Sequence, residues 1–187
     1  SAAAFSRVMI PSRVCNALLL AAGLAVTACS GPPTFVAREE PWREEDERAC
    51  LASGIVRETP FVAVRAALGG PSVCGALRPF AMSAAAQGHV TLKPAALLRC
   101  PMVPAVEYWI QNVVMPAARR HFGAELVEVK VSSSYSCRPV NHVDGGRLSE
   151  HGHANAIDVS SFVLANGEVI TVRSGWYGSF AHRNFLR

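Results

Sequence analysis

Residues 157–172 constrain the architecture of this chain more than any other stretch. Two β-rich runs, 157–164 and 168–172, flank Ala165-Asn166-Gly167. Asn-Gly between such runs is a strong signal for an antiparallel hairpin, because both residues tolerate positive φ. Upstream, residues 125–132 alternate well enough for a strand, with Val127, Val129 and Val131 on one face. The clearest helix covers residues 104–122. Pro104 suits a first helical position, and Gly123 suits the left-handed residue that ends a helix. Val106, Trp109, Ile110, Val113 and Ala117 recur at three- and four-residue steps, which predicts one buried stripe. At that spacing Trp109 is a core residue rather than a sugar-stacking platform. Pro116 deletes a backbone donor inside the helix and predicts a kink. Residues 61–68 and 90–92 read as short strands, separated by Gly69-Gly70-Pro71 and Gly88. The fold class is therefore α+β, a small antiparallel sheet with helices packed on one side.

The amino-terminal segment predicts export. Met9 opens a short basic region with Arg13, and residues 17–26 form an apolar core. That core is too short to span a bilayer and has the length of a signal peptide's apolar region. Val26-Thr27-Ala28-Cys29 followed by Ser30 looks like a lipobox, with Cys29 lipidated and becoming the mature terminus. The alternative is an ordinary signal peptide cut near Ala28, leaving Cys29 a spare thiol. Either way the protein is exported, and a lipid on Cys29 would hold it at a membrane surface without a spanning helix. Residues 30–48, with Gly31-Pro32-Pro33 and then mostly charged residues, read as a tether. The alternative over residues 43–51 is an exposed, charged first helix.

With Cys15 and Cys29 assigned to the leader, Cys50, Cys74, Cys100 and Cys137 remain. In an oxidising compartment four cysteines read as two disulfides, and three pairings are open. A four-cysteine zinc site is the alternative, but no Cys-x-x-Cys spacing supports it. The net charge of +4 is a modest excess without a dense basic tract. No aromatic and basic residues interleave, so the composition offers no nucleic-acid partner.

Chemistry concentrates in Ser149-Glu150-His151-Gly152-His153-Ala154-Asn155-Ala156-Ile157-Asp158. Asp158 lies between Ile157 and Val159, so if those two face the core the strand period turns Asp158 outward. His151 lies in a segment of small residues that can curl back toward it. Zinc takes nitrogen and oxygen donors of these kinds. The alternative is an exposed polar loop entering a strand.

The pattern Ser-x-His-x-x-x-x-Ala-x-Asp resembles the first metal motif of the zinc peptidases that include D-alanyl-D-alanine carboxypeptidases, lysostaphin-type endopeptidases and the hedgehog fold. Those carboxypeptidases usually have Gly where this chain has Ala154. Read with Cys74-Gly75, Cys100-Pro101, the Trp109 helix, Ser134-Tyr135-Ser136-Cys137-Arg138, Leu148-Ser149-Glu150-His151 and Phe185-Leu186-Arg187, residues 49–187 resemble the bacterial extensin-like C-terminal domain family. The resemblance implies a hedgehog-like or D-Ala-D-Ala-peptidase-like fold and a Zn2+ cofactor held by His151 and Asp158. It places the third zinc ligand beyond Arg187, so that the chain as given carries half a site and is inactive.

The resemblance also implies that Arg138 clamps a peptide carboxylate or developing negative charge, while a salt bridge to Asp144 is the competing reading. Tyr135 would hydrogen-bond the substrate or cap the core. Glu150, beside a ligand, would point away from it and serve as surface or as support for the ligand. Asp144-Gly145-Gly146 would form a mobile rim of the cleft, and the pattern gives His182 no role. The implied function is a periplasmic, membrane-anchored lipoprotein that hydrolyses peptidoglycan peptides. The alternatives are a non-catalytic module of the same fold that binds cell-wall peptide or protein, and a structural envelope lipoprotein.

Overall fold

Three neighbouring strands bring Leu92, Val129 and Phe162 into register, and this buried row is the centre of the core. The computed structural model describes residues 35–70 and 73–187. The expected leader with Cys29, and residues 30–34 of the expected tether, lie outside the described residues. In chain order the elements are β1 (Phe35–Val36), α1 (Pro41–Ser53), β2 (Val62–Val64), β3 (Leu68–Gly69), β4 (Gly75–Ala76), β5 (Phe80–Ala85) and β6 (Val90–Leu98). There follow α2 (Met102–Trp109), a π-helical turn (Ile110–Val114), α3 (Met115–Phe122), β7 (Leu126–Ser133), β8 (Gly146–Arg147), β9 (Asp158–Leu164), β10 (Val169–Thr171), α4 (Val172–Gly175) and α5 (Phe180–Phe185).

The α+β class holds, but the main sheet is mixed. Its order is β10-β9-β7-β6-β5-β2, with β6 and β7 parallel and the other pairs antiparallel. The helical segment between β6 and β7 is the reason: a crossover of that length returns the chain to the same end of the sheet. The hairpin forms as expected between β9 and β10. Its turn differs in detail, since only Gly167 takes positive φ (86°) while Asn166 uses its side chain to accept from the Glu168 N–H.

The helix between β6 and β7 starts at Met102 and buries a different stripe from the one its spacing predicts. Val103, Val106, Ile110, Val114 and Ala118 are buried, whereas Val113 is half exposed. The π turn explains the shift, because one extra residue per turn rotates everything that follows. It lies just before Pro116, whose ring would clash with the Asn112 carbonyl in a regular α-helix. Met115 N–H instead reaches the Ile110 carbonyl, five residues back. The expected kink is thus a widening of the helix. Trp109 is partly buried, edge-on to Phe162 with ring centroids 6.1 Å apart. A bulge in β7 between Leu126 and Glu128 likewise puts Leu126, rather than Val127, fully inside.

The described part of the expected tether belongs to the folded domain. Phe35–Val36 pairs in parallel with Gly146–Arg147, and Pro41–Ser53 is a helix that starts on Pro41 and ends on Gly54 in the left-handed region. Glu47, Cys50 and Leu51 fall at helical spacing on one face. Glu47 is buried, with the Leu77 and Arg78 N–H groups donating to its carboxylate at 3.1 Å, and Cys50 is disulfide-bonded to Cys100. A mostly charged sequence disguised that single docking face.

The second disulfide joins Cys74 to Cys137, so one of the three open pairings is selected. Replacing Cys74 and Cys137 together by Ser is expected to lower stability by about 2–4 kcal/mol, since the bridge closes a long loop in the unfolded chain. Guanidinium unfolding of the pair of proteins measures it. Among the described residues no helix is long and apolar enough to cross a membrane.

Candidate functional site

The sheet's two faces differ. Helices α2, α3 and α5 pack over one, while Thr91, Lys93, Lys130, Ser132, Asp158 and Ser160 leave the other polar and exposed. The candidate residues gather at the end of this open face. Ser133 pairs with Asp158 across β7 and β9, so the loop leaving β7 and the first residue of β9 meet there. Asp158 is half exposed and flanked by the partly buried Ile157 and Val159, which matches the orientation expected from strand period.

His151 is carried by a 3-10 turn, Glu150–His153. Ser149 caps it by accepting the His151 N–H, and Ala154 ends it at φ 51°. The imidazole is buried. Its Nδ1 lies 2.8 Å from the Ser134 carbonyl, and its Nε2 lies 3.2 Å from Asp158 Oδ2. A carbonyl can only accept, so the hydrogen-bond network assigns the proton to Nδ1. Nε2 then either carries a second proton toward the carboxylate or presents its lone pair there. In the second case two electron-rich atoms converge, an arrangement that suits a cation. Donors held tetrahedrally by zinc stand about 3.4 Å apart, given metal–ligand distances near 2.1 Å. The 3.2 Å separation therefore fits, and the Ser134 carbonyl orients the ring as supporting carbonyls do at metal sites.

Arg138 Nη2 lies 3.9 Å from Asp158 Oδ2, and Nη1 donates to the Pro139 carbonyl at 3.4 Å. Its acidic neighbour is thus Asp158 rather than Asp144, because the backbone of this loop is tied to the capped turn: Ser149 N–H donates to the Arg138 carbonyl, and Ser136 N–H to the His151 carbonyl. Tyr135 donates its hydroxyl to the Gly69 carbonyl at 3.2 Å, and burial pushes its phenol up. The Cys74–Cys137 disulfide lies beside both segments. A Cβ added at Gly152 would come within 2.7 Å of Leu148 Cδ1 and 3.3 Å of Cys74 Sγ, so the turn packs directly on this bridge. The segment expected as a mobile rim is held by the β1–β8 pairing at Gly146–Arg147.

Glu150 points away from the His151–Asp158 pair, as expected from the sequence. Arg43 grips both its oxygens at 2.8 and 2.6 Å, and Asn155 adds a third bond. Partial burial pushes the Glu150 carboxyl up, but the bonds from Arg43 and Asn155 and the Arg43 charge outweigh it and hold the group below its ordinary range. His153 faces the same side. Burial and the charges of Arg43 and Arg99 hold its ring below the usual range, against the pull of Glu150 and Glu40. Sequence reasoning missed Arg43 and Arg99 on this side. The only signal for Arg99 is a charged residue between the apolar end of a strand and a disulfide cysteine. It also missed that His182 joins Ser179 (2.7 Å) and Glu168 (3.0 Å) across α5 and the hairpin.

A family model described as extensin-like protein C-terminus matches residues 48–187. The chain belongs to this family. No curated protein and no solved structure matches it. The family span begins inside α1, so it takes in both disulfides, the Arg138 loop and the His151–Asp158 pair of this extensin-like domain. Among the described residues no group of three or more His, Cys, Asp and Glu side chains is placed to hold a metal, so the extensin-like domain presents two converging donors here.

Ala154, buried and at φ 51°, occupies a conformation that favours glycine. Ala154→Gly relieves roughly 1 kcal/mol of strain but gives up a buried methyl of similar worth. It is expected to change stability by less than about 1 kcal/mol. Ala154→Val adds a β-branched side chain to a full site and is expected to cost about 2–3 kcal/mol in urea unfolding.

Proposed function

We propose that this protein is an exported lipoprotein, anchored through Cys29 in the periplasm, that hydrolyses peptide bonds in peptidoglycan with zinc. The observation that carries the reading is the convergence of His151 Nε2 and Asp158 Oδ2 at 3.2 Å, with Nδ1 committed to the Ser134 carbonyl. His151 and Asp158 would hold the metal, together with a third protein ligand that the described residues do not supply. When bound, zinc polarises a scissile carbonyl and makes water acidic enough to attack at neutral pH. Arg138, one-fifth exposed and next to Asp158, would receive the substrate's carboxylate, which its planar fork matches at two oxygens. The open polar face beside the pair leaves room for an extended peptide. Location supplies the polymer: an exported, lipid-anchored domain meets peptidoglycan.

The second reading is a binding module of the same fold. It is favoured by Arg138, Asp158 and His151 lying in a chain of mutual contacts with no third donor among the described residues. Muropeptide release from purified peptidoglycan, with and without a chelator, separates the two. Zinc-dependent release supports the hydrolase, and binding without release supports the module.

A further inference from the structure

The open face of the sheet carries a second set of charges beyond the His151–Asp158 pair. Lys93 of β6 and Lys130 of β7 are direct partners in the parallel ladder, and both are exposed. Neighbouring strands lie about 4.8 Å apart, so the two side chains leave the sheet side by side. Like charges placed directly opposite each other destabilise a strand pair. Neither lysine forms an ion pair among the described residues.

The hydroxyls of this face are already committed. Thr91 donates to the Val127 carbonyl, Ser132 to the Asp158 carbonyl and Ser160 to the Lys130 carbonyl, each at 3.2 Å. Glu128, part-buried, is the acid nearest the lysines along β7. It faces Thr91, on the side away from Asp158, and forms no ion pair among the described residues either. Two ammonium groups against one carboxylate leave this patch positive, so it attracts an anionic group.

Its position sets a register. Ser133 pairs with Asp158, and Lys130 lies three residues before Ser133 on the same strand. At about 3.3 Å per residue, the lysine pair stands about 10 Å along β7 from the place that faces Asp158. An extended peptide laid along β7 covers that distance in three residues.

We propose that Lys93 and Lys130 form a subsite for an acidic side chain, three residues ahead of the carboxyl terminus that Arg138 receives. The inference rests on the peptide-substrate reading of the Arg138 site and adds a preference along the peptide. The test titrates the full chain, disulfides intact, with N-acetyl-Glu-Ala-Ala-Ala and N-acetyl-Gln-Ala-Ala-Ala. Backbone amide signals of Lys93 and Lys130 in ¹H–¹⁵N spectra report binding. The Glu peptide should bind roughly fivefold tighter, the upper end for one exposed charge pair. Replacing both lysines by Gln should erase that gap without lowering stability, since it removes a like-charged pair. Glu128→Gln should widen the gap, because a competing carboxylate is gone. N-acetyl-Ala-Ala-Glu-Ala, with its acid beside the carboxyl end, should bind no better than the Gln peptide. Equal binding of the Glu and Gln peptides, or of the two acidic peptides, overturns the proposal. So does a gap that survives the double variant, or the absence of any saturable shift. Muropeptide release with no such gap overturns the subsite alone. The gap without release supports the subsite and sends the site to the binding-module reading.

Discussion

Glu47→Ala is expected to cost the fold about 5 kcal/mol, the largest stability effect of any single substitution considered. The carboxylate is buried on α1 and accepts the Leu77 and Arg78 N–H groups at 3.1 Å, while Arg99 stands 3.9 Å away. Its removal leaves the buried Arg99 guanidinium with the half-exposed Asp46, also 3.9 Å away, as its remaining counter-charge; losing one buried partner outright costs about 3–5 kcal/mol, the upper limit for this part. Two backbone donors also lose their acceptor, at about 1–3 kcal/mol each where water cannot replace it. The 3.9 Å separation and the remaining Asp46 carboxylate weaken the charge part, so the sum falls at the low end of the combined range. Equilibrium unfolding in guanidinium with both disulfides oxidised measures it. Adding Arg99→Met to Glu47→Ala should recover part of the loss by removing the stranded charge. A cost below about 1 kcal/mol for Glu47→Ala would show that α1 is held by the Cys50–Cys100 bridge alone.

His151→Ala is expected to have the largest functional effect. If His151 is a zinc ligand, its loss should weaken zinc binding by at least about 100-fold, because even partners behind the ligands account for 10- to 100-fold. Muropeptide release should fall below detection with it. Asp158→Asn keeps the shape of the second donor and removes its charge, so it should lower zinc affinity while leaving the fold near its original stability. Zinc content after dialysis, read by metal analysis, is the decisive quantity. Wild-type protein without zinc, or His151→Ala protein that keeps it, would sink the hydrolase reading and leave the binding module. The substitution also removes the bond to the Ser134 carbonyl, at about 1 kcal/mol. Circular dichroism of the variant therefore belongs beside the zinc assay.

Much of the geometry of the candidate site was legible because it is local. The cap Ser149, the small residues after it and the alternation around Asp158 all act within ten residues, where chain geometry leaves few choices. The hairpin at Asn166-Gly167 was legible for the same reason, although only Gly167 takes positive φ and Asn166 contributes a side-chain bond to the Glu168 N–H. Helix periodicity placed Val106 and Ile110 correctly and then failed at Val113, because a π turn ahead of Pro116 rotated the stripe by one residue.

What lay outside the reach of the sequence involves partners far apart in the chain. Four cysteines imply two bridges, but only packing decides that Cys50 meets Cys100 and Cys74 meets Cys137. A charged stretch gives no sign that Glu47 will be buried 30 residues from the N–H groups it satisfies. The composition of residues 43–51 is that of a solvated segment, and one docked face on an otherwise polar helix barely changes an average. The direction of β7 against β6 depends on how the intervening helix packs, so the sheet became mixed rather than antiparallel. Short-range backbone preferences, readable from the chain alone, set the α+β class, the hairpin and the placing of His151 and Asp158 on a turn and a strand. The tertiary structure decided the disulfide pairing, the place of α1 and the attachment of Arg138 to Asp158. Each of these depends on which distant surfaces exclude water together, and local propensity carries no record of that.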